Sequence, residues 1–118
     1  MRALLTDKRL PAAQLAAYGD QYAAAGHLNV AVMFYDRAKS KEGLGRVRAA
    51  AMKAGDEFLL AAVAKADPAL VSTDDWRTCA EAALAKQQFV FARDAFRRAG
   101  DEGRAVAAQA EFLKVFPG

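Results

Sequence analysis

Hydrophobic and polar positions alternate along this chain with the period of a helix. Leu15, Tyr18 and Tyr22 recur at i, i+3 and i+7, with Gly19 and Ala23 beside them. After Gly26, the set Leu28, Ala31, Tyr35 and Ala38 repeats that spacing. The pattern predicts helices over about 11–25 and 28–40, joined at Gly26, which takes a left-handed conformation without a Cβ penalty. Pro11 suits a first helical position. Small residues stand where two backbones approach closely, and aromatic ones fill the space on either side. Val30, Val32, Met33 and Phe34 make the second helix apolar nearly all round, as in a helix sandwiched between neighbours. Any part left uncovered is an expected interface.

The same reading continues to the end of the chain. Lys41 to Gly45 is a polar connector, followed by a helix over about 44–54 with Leu44, Val47, Ala51 and Met52 inward. Arg46, Arg48 and Lys53 lie on its exposed sides. Gly55 breaks it, Asp56 caps a fourth helix reaching Ala66, and Asp67-Pro68 ends that one, because a residue before proline avoids the α region. Ser72 to Asp75 is a helix start, with acidic residues favoured by the helix dipole. Gly100-Asp101 closes one helix and caps the last, over about 102–116. Residues 1–10 form a short arm or a turn of helix. The expected fold is a single all-α domain over 1–118, with hairpins at about 11–40, 44–67 and 73–100 and a C-terminal capping helix.

Residues 12–38 resemble a tetratricopeptide repeat (TPR), a helix–turn–helix unit of about 34 residues. Leu15 and Tyr18 stand at its first two large positions, followed by Gly19, Tyr22, Gly26, Ala31, Tyr35 and Ala38. A second match opens at Thr73: Trp76, Cys79, Ala80 and Ala83, then Ala92, Phe96 and Ala99, with Gln87 replacing the turn glycine. The central hairpin matches poorly. The resemblance implies an α-α superhelix, a TPR-like solenoid, in which the first helices of successive hairpins line a concave groove. Mapped here, that groove holds Ala13, Ala16, Asp20, Arg46, Ala49, Lys53, Arg77, Thr78 and Glu81. The family's carboxylate clamp would fall on Ala16 and Asp20, so that device is absent.

Composition adds limits. The 118 residues suit one domain, and 30 alanines favour helix throughout. A charge of +3 with both signs interspersed describes a solvated mixed surface more than a nucleic-acid footprint. The single cysteine, Cys79, excludes an internal disulfide and fits a reducing, cytoplasmic setting. The start has too short an apolar run for a secretory signal, and no run is long enough to span a bilayer.

No constellation for chemistry stands out. His27, the only histidine, lies at a turn, Cys79 in an apolar stripe, and no glycine-rich loop follows a strand. Neither catalysis, a metal nor a cofactor is expected. The expected function is a protein-interaction module or scaffold that binds an acidic or amphipathic peptide in the groove, with Arg46, Lys53 and Arg77 as its basic section. An alternative is self-association into a homo-oligomer through Val30, Met33 and Phe34, or through Phe112 and Phe116. Nucleic-acid binding through Arg93, Arg97, Arg98 and Arg104 is a lesser alternative, because Asp94, Asp101 and Glu102 interrupt that set.

Overall fold

A computed structural model describes residues 10–117, and the expectation for the first nine residues lies outside it. Seven α-helices follow one another among the described residues: α1 (Ala12–Ala24), α2 (Leu28–Ala38), α3 (Lys41–Ala54), α4 (Glu57–Ala66), α5 (Thr73–Ala85), α6 (Phe89–Arg98) and α7 (Glu102–Val115). A 3-10 turn at Pro68–Leu70 sits between α4 and α5, and there is no strand among these residues. The all-α expectation holds.

Five of the six connections share one device. A residue one or two positions past the helix end takes a positive φ, at Gly26, Lys39, Gly55, Gln87 and Gly100. The next residue then donates its N–H to the carbonyl five positions back: His27 to Tyr22, Ser40 to Tyr35, Asp56 to Ala51, Gln88 to Ala83 and Asp101 to Phe96, each at 2.9 Å. This left-handed closure satisfies carbonyls that a helix end otherwise leaves orphaned. Gln87 therefore adopts the left-handed conformation without being glycine. The exception is α4, which Asp67-Pro68 ends in extended backbone.

The tight closures correct two sequence boundaries. Helix α2 stops at Ala38 because Lys39 is left-handed, and α3 begins at Lys41, within the expected connector. Ser40 serves as its N-cap, its hydroxyl accepting from the Gly43 N–H at 3.1 Å. Gly43 and Gly45 are thus helical. The other N-caps follow sequence more directly. Asp56 accepts from Leu59, and Ser72 and Asp75 form a reciprocal capping box at the start of α5.

The helices pack as antiparallel pairs, α1 on α2, α3 on α4 and α5 on α6, with α7 against α6. Between pairs, α1 meets α3 and α3 meets α5, while α2 meets α4 and α4 meets α6. The result is two layers of alternate helices in a body of 52 × 25 × 19 Å. The continuous core between them holds Tyr35, Leu44, Val47, Leu60, Val63, Cys79 and Phe96. Ala31 and Ala92, expected at close approaches, are fully buried.

Phe34 corrects the reading of α2. It is fully buried, stacked on Tyr22 with ring centroids 5.4 Å apart and tilted on Tyr18 at 5.8 Å. The α1–α2 hairpin covers it internally, so it cannot serve an oligomer face. Val30 is half-buried, leaving Met33 as the exposed large residue of the proposed set on α2.

Two glycines of similar sequence context differ in what surrounds them. A Cβ at Gly43 would overlap the Tyr35 ring, whereas one at Gly45 would meet open space. In a helix, Gly to Ala gains about 1 kcal/mol in propensity, and overpacking a filled site loses about 1–3 kcal/mol. Gly45→Ala is therefore expected to raise the melting temperature and Gly43→Ala to lower it. Thermal unfolding followed by circular dichroism checks the signs, and equal shifts would contradict the packing around Tyr35.

Candidate functional site

The outward side of the α1–α3–α5 layer is set by the same periodicity that builds the core. Helix α3 turns Leu44, Val47 and Ala51 inward and leaves Ala49 and Lys53 exposed; α5 buries Trp76, Cys79, Ala80 and Ala83 and exposes Asp74, Thr78 and Glu81. On α1 the exposed positions include Ala13, Ala17 and Asp20, with Ala16 half-buried. The expected groove residues thus all lie on α1, α3 and α5, and all but Ala16 and Arg77 are exposed.

Their charges are largely spent on one another. Arg46 donates to Asp20 at 2.8 Å and to Glu42 at 3.1 Å, and its guanidinium lies 5.9 Å from the centre of the Tyr35 ring. Arg77 is half-exposed and pairs with Asp74 at 2.7 Å; Glu81 accepts from Arg104 of α7 at 3.1 Å. The basic section read from Arg46, Lys53 and Arg77 is therefore neutralised at two of its three positions. Lys53 remains exposed, with no carboxylate partner among the described residues. Ala49, one turn before it on α3, and Thr78 on α5 are exposed and uncharged.

Asp20 does more than face solvent. Its carboxylate accepts the Tyr35 hydroxyl at 2.5 Å as well as Arg46. Burial raises the Tyr35 pKa, and the Asp20 hydrogen bond adds to it, so the phenol stays a donor. Arg48, read as an exposed side chain, instead grips Asp75 in a two-point contact, its Nη2 and Nε donating to the two carboxylate oxygens at 2.6 and 2.9 Å. Asp75 also accepts the Ser72 N–H. Only spacing across 27 residues relates Arg48 to Asp75, so no local signal in the sequence could have found this pair.

The arginines of the lesser nucleic-acid reading are dispersed among carboxylates. Arg93 pairs with Asp94 and donates to Gln109, Arg97 pairs with Glu102, and Arg98 reaches the buried Glu57 while lying 4.8 Å from the Trp76 ring centre. Arg104 is shared between Glu81 and Asp101. No undivided basic stripe results from them.

Cys79 is fully buried, its thiol 3.9 Å from the Ala51 carbonyl oxygen. Burial, with smaller contributions from Asp56 and Glu57, pushes its pKa up to about 11, which keeps it a thiol at neutral pH. His27 is exposed, and its ring meets the edge of Tyr22. Among the described residues, no group of three or more His, Cys, Asp or Glu side chains could hold a metal ion, and no helix is long and apolar enough to cross a membrane.

Two hollows lie near the helix ends. One, of about 570 Å³, runs past the turns at Gly26 and Gly55 and includes Phe58, which is 70% exposed beside Phe91. The other, of about 450 Å³, lies between the α5–α6 turn and the end of α7. Phe112 and Phe116, the second expected oligomer set, belong to this hollow with rings 5.1 Å apart; Phe112 is half-buried and Phe116 exposed.

Comparison with the models of known families, with curated proteins and with solved structures finds no match to this chain.

The Arg48 guanidinium holds the Asp75 carboxyl below its ordinary pKa of 3.8, burial opposing and Ser72 assisting. A carboxylate with a depressed folded pKa stabilises fully above its unfolded value and loses that contribution as pH falls through the folded one. Wild type is therefore expected to melt above Asp75→Asn at neutral pH, and the gap to shrink on acidification below the ordinary aspartate range. Melting curves of both proteins across that range test this, and a gap independent of pH would contradict the ion pair.

Proposed function

We propose that this chain is a non-catalytic protein-interaction module that receives a peptide segment on the outer side of α1, α3 and α5. The observation that carries the reading is Lys53, an exposed cation without an acidic partner among the described residues, one helical turn from the short, exposed side chain of Ala49. Short side chains let a backbone lie close, and a single uncompensated cation favours an acidic group on the ligand. Support also comes from the resemblance of 12–38 and 73–99 to tetratricopeptide repeats, whose first helices line a groove when successive hairpins wind as a superhelix. The ligand of best fit is an acidic or amphipathic peptide with small apolar residues.

Selection of displayed peptides against the purified chain tests the reading without assuming a source. Peptides recovered with wild type are expected to carry acidic residues and to bind Ala49→Arg/Lys53→Glu about tenfold more weakly, as for loss of one close charge pair with added bulk. Both positions are exposed, so the variant should melt as wild type does. Equal binding to the two proteins, or no selectable peptide, would overturn the proposal.

A further inference from the structure

The seven phenylalanines are unevenly placed. Phe34 and Phe96 are fully buried, and the other five line the two hollows at the helix ends. Phe58 in the first hollow is 70% exposed and Phe116 in the second 62%. Each rests on a half-buried neighbour, Phe58 on Phe91 and Phe116 on Phe112, with ring centroids 5.7 and 5.1 Å apart. Scattered apolar residues are ordinary on a surface, but exposed rings gathered in concavities mark a place of contact. Gln88 and Phe91 line both hollows, so the first turn of α6 is their common wall.

Charge in this lining is sparse and placed where the hollows adjoin. The first hollow has Asp56, whose carboxylate is engaged in capping α4 at the Leu59 N–H, 3.0 Å away. The second has Lys86. Its ammonium donates at 2.9 Å to the carbonyl of Ala54, a residue of the first hollow, and so stands at the seam between the two. A carbonyl oxygen does not neutralise a cation, and Lys86 has no carboxylate partner among the described residues. The wall beside it is the amino end of α6, which has neither a side-chain cap nor an acid in its first turn. The seam is therefore positive, with an aromatic concavity on either side.

We infer that the two hollows form one docking site for a peptide that sets a large apolar side chain in each and an aspartate or glutamate between them on Lys86. The rings give each anchor an apolar face, and the carboxylate supplies the charge that Lys86 lacks. At about 570 and 450 Å³, both hollows have the size of ligand pockets. A purely apolar segment would cover Lys86 without a counter-charge, and a basic one would be repelled by it. The site uses neither Ala49 nor Lys53, so it and the peptide face of α1, α3 and α5 succeed or fail separately.

The test is a displayed library in which a fixed aspartate is flanked on each side by a random spacer and a large apolar residue. Peptides recovered on the purified chain are then measured by fluorescence anisotropy. Phe58→Ser, Phe116→Ser and Lys86→Glu should each bind them about tenfold more weakly than wild type, while Ala49→Arg/Lys53→Glu binds as wild type does. Exchanging the peptide's aspartate for lysine should weaken binding to wild type and restore it to Lys86→Glu. A misfolded variant could not show that recovery, so this arm separates docking from stability. No recoverable peptide, or binding indifferent to either ring, would overturn the inference. So would a loss at Lys86→Glu that the lysine peptide does not reverse, or dependence on Ala49 and Lys53 in place of the rings. A wild-type dimer dissolved by both ring variants would assign the hollows to a second copy of the chain instead.

Discussion

The aromatic ring of Tyr35 is the constraint on which the first half of the molecule depends. It leaves α2 and fills the positions that Cβ atoms would occupy at Gly19 of α1 and Gly43 of α3, and its hydroxyl donates to Asp20. One side chain thereby sets the distance between three helices. Neither glycine carries atoms that could collapse into the space if the ring were removed, so the void would persist. Arg46 closes the outer edge, bonded to Asp20 and lying over the same ring. The phenol is thus satisfied by a carboxylate that is itself satisfied by a guanidinium, as a group at the margin of the core requires.

The second half uses a different fastening. A Cβ at Gly55 would come within 2.5 Å of the Ala83 backbone nitrogen, so the α3–α4 turn and α5 touch backbone to backbone. Around that contact, Arg48 of α3 reaches Asp75 of α5, and Arg98 of α6 reaches Glu57 of α4 while covering Trp76. Asp75 and Glu57 are the two buried charged residues among those described, and each has its arginine. Removing either arginine would leave a buried carboxylate uncompensated, a heavier loss than the pair's own net contribution.

Helix existence and the inward faces were legible in the sequence because they rest on local periodicity. The same is true of the cap residues at Asp56, Ser72 and Asp101. The start of α3 was misread because glycine weighs against helix in isolation. At Gly43 that penalty is overridden by Tyr35, eight residues earlier, whose ring leaves no room for a side chain. Phe34 was misread for the reverse reason: its apolarity is local, but its cover comes from Tyr18 and Tyr22 across the hairpin. Ion-pair partners such as Arg48 with Asp75 depend on which helices become neighbours, which spacing alone does not encode.

That distinction decides which cations a partner could recruit. Arg46 and Arg77 sit in exposed pairs with Asp20, Glu42 and Asp74, and such pairs contribute about 0–1 kcal/mol each. Exchanging one of these contacts for a ligand carboxylate therefore loses little. Arg48 and Arg98 cannot be exchanged on those terms, because their carboxylates lie inside. Arg46 is intermediate: it can release Glu42 freely, but releasing Asp20 also disturbs the group that holds Tyr35. A ligand of the proposed kind, entering beside Lys53, would thus meet one cation already free and one, Arg77, that is readily turned. Arg46 keeps the packing of the first two hairpins intact only while it stays on Asp20.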